Sequence, residues 1–130
     1  MGQPIAPASG VAFAFPDVCL TPAGPAGNVP VPYPNIAQLS DADPISDEGD
    51  KELLVGGEHV LLLGSEVSST TGDEAGSASP NTEACEVVMA STTVLYGGKG
   101  IARFGDQTTQ NGGNAVGQVL SANPTVLVGG

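Results

Sequence analysis

The sequence predicts an all-β protein: a small conical body of short β-hairpins with pseudo-threefold symmetry and a Pro-rich N-terminal segment wrapped on it. Three observations carry that prediction. Residues 53–65 read LLVGGEHVLLLGS, residues 94–106 read VLYGGKGIARFGD, and residues 125–130, TVLVGG, open the same phrase again. A Gly-Gly pair between alternating apolar runs is a hairpin signal, and a repeated hairpin is a repeated structural unit. Next, Gly (19) and Pro (11) are abundant in a chain of 130 residues. Without a period that content marks disorder; here the glycines recur at matching places and read as turns. Last, apolar residues are 40% of the chain but aromatic ones only 4%, with no Trp. A core of Val, Leu and Ala is thin and suits flat packing between strands.

Along the chain, residues 1–12 read as an N-terminal extension and residues 13–130 as a single domain. Pro22, Pro25, Pro30, Pro32 and Pro34 exclude helix and remove ladder donors. The alternation Val29-Pro30-Val31-Pro32-Tyr33-Pro34 predicts an extended edge or a polyproline-like segment lying on the body. Residues 41–52 hold six acids and one Lys but lack the spacing of a calcium-binding loop, so they read as a solvated acidic loop. Residues 53–63 form the first hairpin about Gly56-Gly57. Residues 64–84 read as a long polar loop with one short helix near Asp73-Glu74-Ala75. A second apolar alternation runs through residues 85–96, turns at Gly97-Gly98 and continues through Ile101 to Asp106. A loop at residues 107–114 precedes Val116, Val119 and Leu120, and residues 125–128 form a closing strand. Aligning Gly56-Gly57, Gly97-Gly98 and Gly129-Gly130 also superimposes Gly64 on Gly105. Arms this short are marginal as lone hairpins, so the units must bury one another around one axis.

The charge narrows the functions. The net charge is −11, and Lys51, Lys99 and Arg103 are the only cations. No basic patch exists to displace counterions from nucleic acid or to meet anionic lipid. The N-terminus has neither a basic region nor a continuous apolar run, so it reads as no secretory signal, and Ala6 spoils a myristoylation motif. Cys19 and Cys85 then read as reduced thiols of an intracellular protein.

Residues 97–106, GGKGIARFGD, resemble the defining phrase of PAAR-repeat proteins. Gly100-Ile101-Ala102-Arg103 stands for Pro-Ala-Ala-Arg, with Ala102 and Arg103 literal, before Phe104 and Gly105-Asp106. Residues 123–130 are similar to that family's closing strand. Residues 15–22, 31–37 and 71–76 together resemble the PAAR-like branch associated with contractile injection systems. The resemblance covers roughly residues 13–130 and implies a β-rich cone. Such a cone caps the trimeric spike protein, of the valine-glycine-repeat type, in type VI secretion and related phage-tail-like machines. It implies a structural tip that aids puncture of a target envelope, touching the membrane only on firing. The tip would assemble in the cytoplasm and be delivered outward on contraction. Ending at Gly130, the chain is expected to act without a fused toxin. An edge-rich base is expected to make the isolated protein self-associate.

PAAR tips commonly hold zinc through three His and one Cys. This chain has one His, and Gln110 stands in the loop where the family often has His. The expectation is therefore a tip with no metal ligands and no cofactor; zinc held by His59, Cys19, Cys85 and a fourth ligand is the alternative. No catalytic residues are expected. His59 is the only imidazole, and Glu58 beside it faces the other way along a strand. Asp73-Glu74 is an acid pair in a Gly-rich loop, and Gly112-Gly113 lacks the Lys and helix of a phosphate loop. Two other readings stand beside the tip. One is an adaptor that loads effector cargo through the N-terminal segment, and the other is a β-rich surface adhesin.

Overall fold

A computed structural model describes residues 2–42, 53–76 and 82–129. Most of the acidic loop at 41–52 lies outside the described residues. The body is all-β, with twelve strands: β1 Gln3–Ile5, β2 Val11–Pro22, β3 Asn28–Gln38, β4 Leu54–Val55, β5 Glu58–His59, β6 Glu66–Val67, β7 Cys85–Val87, β8 Leu95–Tyr96, β9 Lys99–Gly100, β10 Gln107–Gln110, β11 Ala115–Val119 and β12 Asn123–Val128. Six of them form one sheet in the order β3-β2-β11-β10-β7-β6, and six form the two-stranded pairs β1-β12, β4-β5 and β8-β9.

The Gly-Gly phrases do what their sequence demands. A hairpin turn with left-handed dihedrals at both central residues matches the twist of its arms, and glycine takes such dihedrals without a Cβ penalty. Gly56 and Gly57 have φ of 58° and 81°; Gly97 and Gly98 have 60° and 81°. The two turns join β4 to β5 and β8 to β9 in the same register. One arm later Gly64 and Gly105 again agree, at 89° and 88°. The side chain that follows each turns back to cap it. Ser65 Oγ accepts from the Leu62 N–H at 2.9 Å, and Asp106 Oδ2 accepts from the Arg103 N–H at 2.8 Å.

The third phrase is completed from the other end of the chain. β12 pairs antiparallel with β1, Val128 opposite Gln3 and Leu127 opposite Pro4. The N-terminal residues are thus the missing arm of the third unit and belong to the body. The three arms then interlock in a closed cycle. The Ala6 N–H donates to Ala102 O at 3.1 Å, Ala102 N–H to Leu61 O at 2.9 Å, and Leu61 N–H to Ala6 O at 2.9 Å. A second cycle runs Ala8 to His59 (2.7 Å), Leu63 to Gly100 (2.8 Å) and Phe104 to Pro4 (2.8 Å), N–H to O in each case. The isolated bridges Ile5–Arg103, Leu62–Ile101 and Pro7–Val60 repeat the pattern. Pro7 occupies the place of Leu62 and Arg103. Having no N–H, it needs none of the capping that Ser65 and Asp106 supply.

Beyond this ring each unit extends a second, larger hairpin: β2–β3, β6–β7 and β10–β11. Their return strands begin their pairing alike, with Leu39, Val87 and Val119 donating to Gly10, Ser65 and Asp106 at 3.0, 2.9 and 2.9 Å. β11 pairs with β2 and β10 with β7, while Ile36 exchanges hydrogen bonds of 2.8 and 2.9 Å with Thr71 just past β6. The sheet therefore closes on itself. The Pro-rich stretch is part of that sheet, pairing with β2 from Asn28 to Gln38. Pro30, Pro32 and Pro34 share the parity of Ile36, whose N–H points away from β2 toward Thr71, so their missing donors all face the outer edge. Residues 64–84 also contain strand, β6, while Asp73-Glu74-Ala75 forms a turn rather than a helix, with Gly76 N–H on Asp73 O at 2.9 Å.

The core is layered along the axis. Ile5, Val55, Val60, Leu62, Ile101 and Val128 pack on the side of the Gly-Gly turns. Ala6, Leu61 and Ala102 fill the ring, and Leu39, Val87 and Val119 lie above them with Ala12, Ala37, Val67 and Cys85. Leu61 is the large side chain of its ring. We expect Leu61→Ala to cost about 2–5 kcal/mol in chemical denaturation, the usual loss for a buried leucine. Removing residues 1–9 takes away one arm of three, so the truncated chain should lose its cooperative thermal transition by circular dichroism.

Candidate functional site

The long hairpins carry a different interior at their far ends. Asp17, Cys19, Asn35, Asp73, Gln110 and Asn111 have essentially no exposed surface there, and Thr70 and Thr108 are also buried. β2 delivers Asp17 and Cys19 on one face, two residues apart, after a bulge between Ala14 and Asp17. β3 delivers Asn35 and β10 delivers Thr108 and Gln110. Asn111 follows β10 in a left-handed conformation, φ 52°, which Asn tolerates better than most residues. Gly117 lets the layers meet, because a Cβ there would lie 2.4 Å from Gln110 Oε1 and 2.5 Å from Phe13 O.

These groups form one network. Asp17 accepts from Asn35 Nδ2 (3.2 Å), from Asn111 Nδ2 (3.0 and 3.1 Å) and from Asn114 Nδ2 (2.6 Å). Asn35 Nδ2 also reaches Thr70 Oγ1 at 2.8 Å and Asp73 Oδ2 at 3.4 Å. Gln110 Nε2 donates to Asn35 Oδ1 at 2.8 Å and takes a hydrogen bond from Thr108 Oγ1 on its own oxygen at 2.8 Å. Thr70 Oγ1 donates to Glu83 O at 2.7 Å, and Glu83 N–H donates to Asn111 Oδ1 at 2.9 Å. Asp73 receives the Thr82 N–H on both oxygens at 3.2 Å and the Cys19 thiol at 3.9 Å. Among the described residues no buried side-chain N or O atom lacks a partner. A satisfied buried network of this kind fixes one arrangement of its strands, whereas a half-satisfied one destabilises them.

Burial and charge set the protonation states. Burial alone would raise Asp17, but hydrogen bonds from Asp73, Asn111, Asn114 and Asn35 outweigh it and hold its carboxyl below the ordinary range. Asp73 moves up, through burial first and then its hydrogen bond to Asp17. Burial and the two neighbouring acids push the Cys19 thiol up to about 11, and burial pushes Cys85 up to about 12.

Donor atoms of Asp17, Cys19 and Asp73 lie within 4.8 Å of one another, a spacing that can hold a metal ion. His59 and Cys85 are not in this group. His59 pairs with Leu54 in the first small hairpin, and Cys85 pairs with Val67 inside the apolar core. A structural zinc takes four ligands, and three amide groups already aim their N–H bonds at the Asp17 carboxylate where a cation would sit. Gln110, the residue in place of a family His, hydrogen-bonds Asn35 and belongs to the same amide network.

A second feature lies at the opposite end. Leu54, Leu95 and Leu127 each stand two residues before a Gly-Gly pair, and they are 51%, 54% and 62% exposed. One leucine per unit thus forms an apolar threefold set on the side of the small hairpins. No local signal in the sequence distinguishes these leucines from core residues; only the alignment of the phrases does.

Two measurements probe the network. Asn35→Ala removes donors to Asp17, Thr70 and Asp73 and should cost about 1–3 kcal/mol in urea denaturation, as expected for buried acceptors left unpaired. Both thiols should resist alkylation at pH 8 in the folded protein and react fully on unfolding, because their raised pKa values leave little thiolate.

A family model described as the toxin PAAR-like domain matches residues 10–117. No curated protein and no solved structure matches the chain. The matched span begins at the turn before β2, takes in β2–β3, β6–β7 and β10, and ends within β11, with the buried network and Gln110 inside it. With the repeated hairpins, the Gly-Asp phrase and the all-β body, this match places the chain in the toxin PAAR-like domain family.

Proposed function

We propose that this protein is a non-enzymatic tip that caps the trimeric spike of a contractile injection system and sharpens it for puncture of a target envelope. The observation that carries the reading is the exposed trio Leu54, Leu95 and Leu127, one from each pseudo-equivalent unit. A threefold partner presents three copies of one surface. A single chain can meet all three only if it repeats its own contact, and this chain does. The family supports the same reading. On it, assembly takes place in the cytoplasm and contraction carries the tip outward. The spike is of the valine-glycine-repeat type.

The small hairpins also suit compressive load. The arms of β4–β5 and β8–β9 are two residues long, their turns are tight, and each is tied to its neighbours by backbone hydrogen bonds. His59 and the Asp73-Glu74 pair have structural surroundings, which supports a role without catalysis.

A second reading, an adaptor for effector cargo, has its own observation. Phe13, Phe15, Met89, Val116 and Leu120 line an open groove of about 360 Å³ on one face of the large sheet. A second groove, lined by Glu66, Glu86 and Thr109, carries acids in place of those aromatic rings. Cargo would therefore meet the Phe13–Phe15 groove, while the spike meets all three units.

The test is co-purification with the trimeric spike. Each single substitution, Leu54→Asp, Leu95→Asp or Leu127→Asp, should weaken the complex about tenfold or more, as loss of a buried apolar anchor does. The triple variant should abolish it while keeping the melting temperature. The isolated wild type should self-associate in size-exclusion chromatography and the triple variant should not. Phe15→Asp should leave spike binding intact and lose cargo if the adaptor role is also present. Undiminished spike binding by the triple variant would remove the leucine set from the interface.

A further inference from the structure

Asp17 and Asp73 are both fully buried, bring carboxylate oxygens within 4.8 Å of each other, and come from segments far apart in sequence. The donors named above are neutral: the side-chain amides of Asn35, Asn111 and Asn114, the Thr82 N–H and the Cys19 thiol. Two ionised carboxylates at this separation in a dry site repel strongly, and neutral donors do not cancel two full charges. One proton between them turns the repulsion into a charge-assisted hydrogen bond.

We infer that Asp17 and Asp73 share a single proton at neutral pH, and that this proton, in place of a metal ion, ties β2 to the turn at residues 72–76 in the far end of the sheet. Asp73 is the protonated partner and donates to the Asp17 carboxylate. The opposed directions of their acidities agree with this assignment. The amides complete the arrangement by occupying the remaining Asp17 lone pairs.

The link makes folding take up a proton. Asp73 is ionised in the unfolded chain above the ordinary carboxylate pKa but protonated in the folded one. Its contribution is complete below the unfolded value and is lost progressively as pH rises to the folded value. Asp17 behaves in the opposite sense: its contribution is present above the unfolded value and is lost as pH falls through its lowered one. Across the window from about 3.8 up to the raised Asp73 value, the unfolding equilibrium constant should therefore climb about tenfold per pH unit on account of this pair. Among the described residues, Cys19, Tyr33, Glu74 and Glu83 are the other titratable groups near the pair.

The experiment compares wild type with Asp73→Asn in urea denaturation from pH 4 to pH 9, since the surrounding groups are common to both. The side-chain amide introduced at position 73 can donate to Asp17 as the shared proton does, so the variant should fold and should lack the one-proton slope. Infrared spectroscopy of the folded wild type at pH 7 should show a protonated carboxyl band that is absent from the variant. Parallel pH profiles for the two proteins would overturn the inference, as would wild type without that band. So would one equivalent of bound metal by mass spectrometry together with destabilisation by a chelator. None of these readouts involves the spike, so they stand apart from the proposed function.

Discussion

The fold rests on a cycle of three backbone hydrogen bonds, from Ala6 to Ala102 to Leu61 and back to Ala6. Each arm donates to one neighbour and accepts from the other, so no pair is complete without the third. That closed cycle explains why such short arms hold. A hairpin with two residues per arm has almost no cooperativity of its own. Set in the ring, it gains two neighbours and a shared apolar centre of small and medium side chains. The threefold character is therefore a matter of backbone pairing, and the side chains are free to differ between units. Ala6, Leu61 and Ala102 differ in size, and Pro7, Leu62 and Arg103 differ in chemistry, yet the ring repeats.

Along the axis the interior changes from aliphatic to polar. Leu39, Val87 and Val119 mark the last wholly aliphatic set, and beyond them come Thr108, Gln110, Asn35 and the acid pair. In that part of the interior the strands are joined by hydrogen bonds among buried side chains rather than by apolar burial. Such bonds fix register and spacing as well as contact. An amide network reaching from Ala12 O through Gln110 and Asn35 to Asp17 and Asn111 joins β2–β3 to β10–β11, and Thr70 and Glu83 bring in the loop between β6 and β7.

Much of this is legible in the sequence where the signal is local. The Gly-Gly pairs announce their turns, and the spacing to Gly64 and Gly105 announces the repeat. The resemblance around residues 97–106 points to the family whose model matches residues 10–117. What escapes is non-local. Gln3–Ile5 looks like an extension because its partner, β12, is at the other end of the chain. The prolines at 30, 32 and 34 look like strand breakers because their common parity matters only once the outer edge of β3 is known. Asp17 and Asp73 lie in two segments, 15–22 and 71–76, that the family resemblance picks out, but nothing local says that their side chains meet; only closure of the sheet brings them together. Gln110 departs from the family's histidine, and its place beside Asn35 shows what the departure does.

The pairing of β1 with β12 also orders events in time. β1 has to wait for β12, because Gln3 finds Val128 only after every strand between them has been made. Until then the ring has two arms and an open side, with Ile5 and Ala6 uncovered. Contacts of such long sequence separation slow folding, and a ribosome adds only about 5–20 residues per second. During synthesis that apolar seam therefore stays exposed until β12 emerges to cover it.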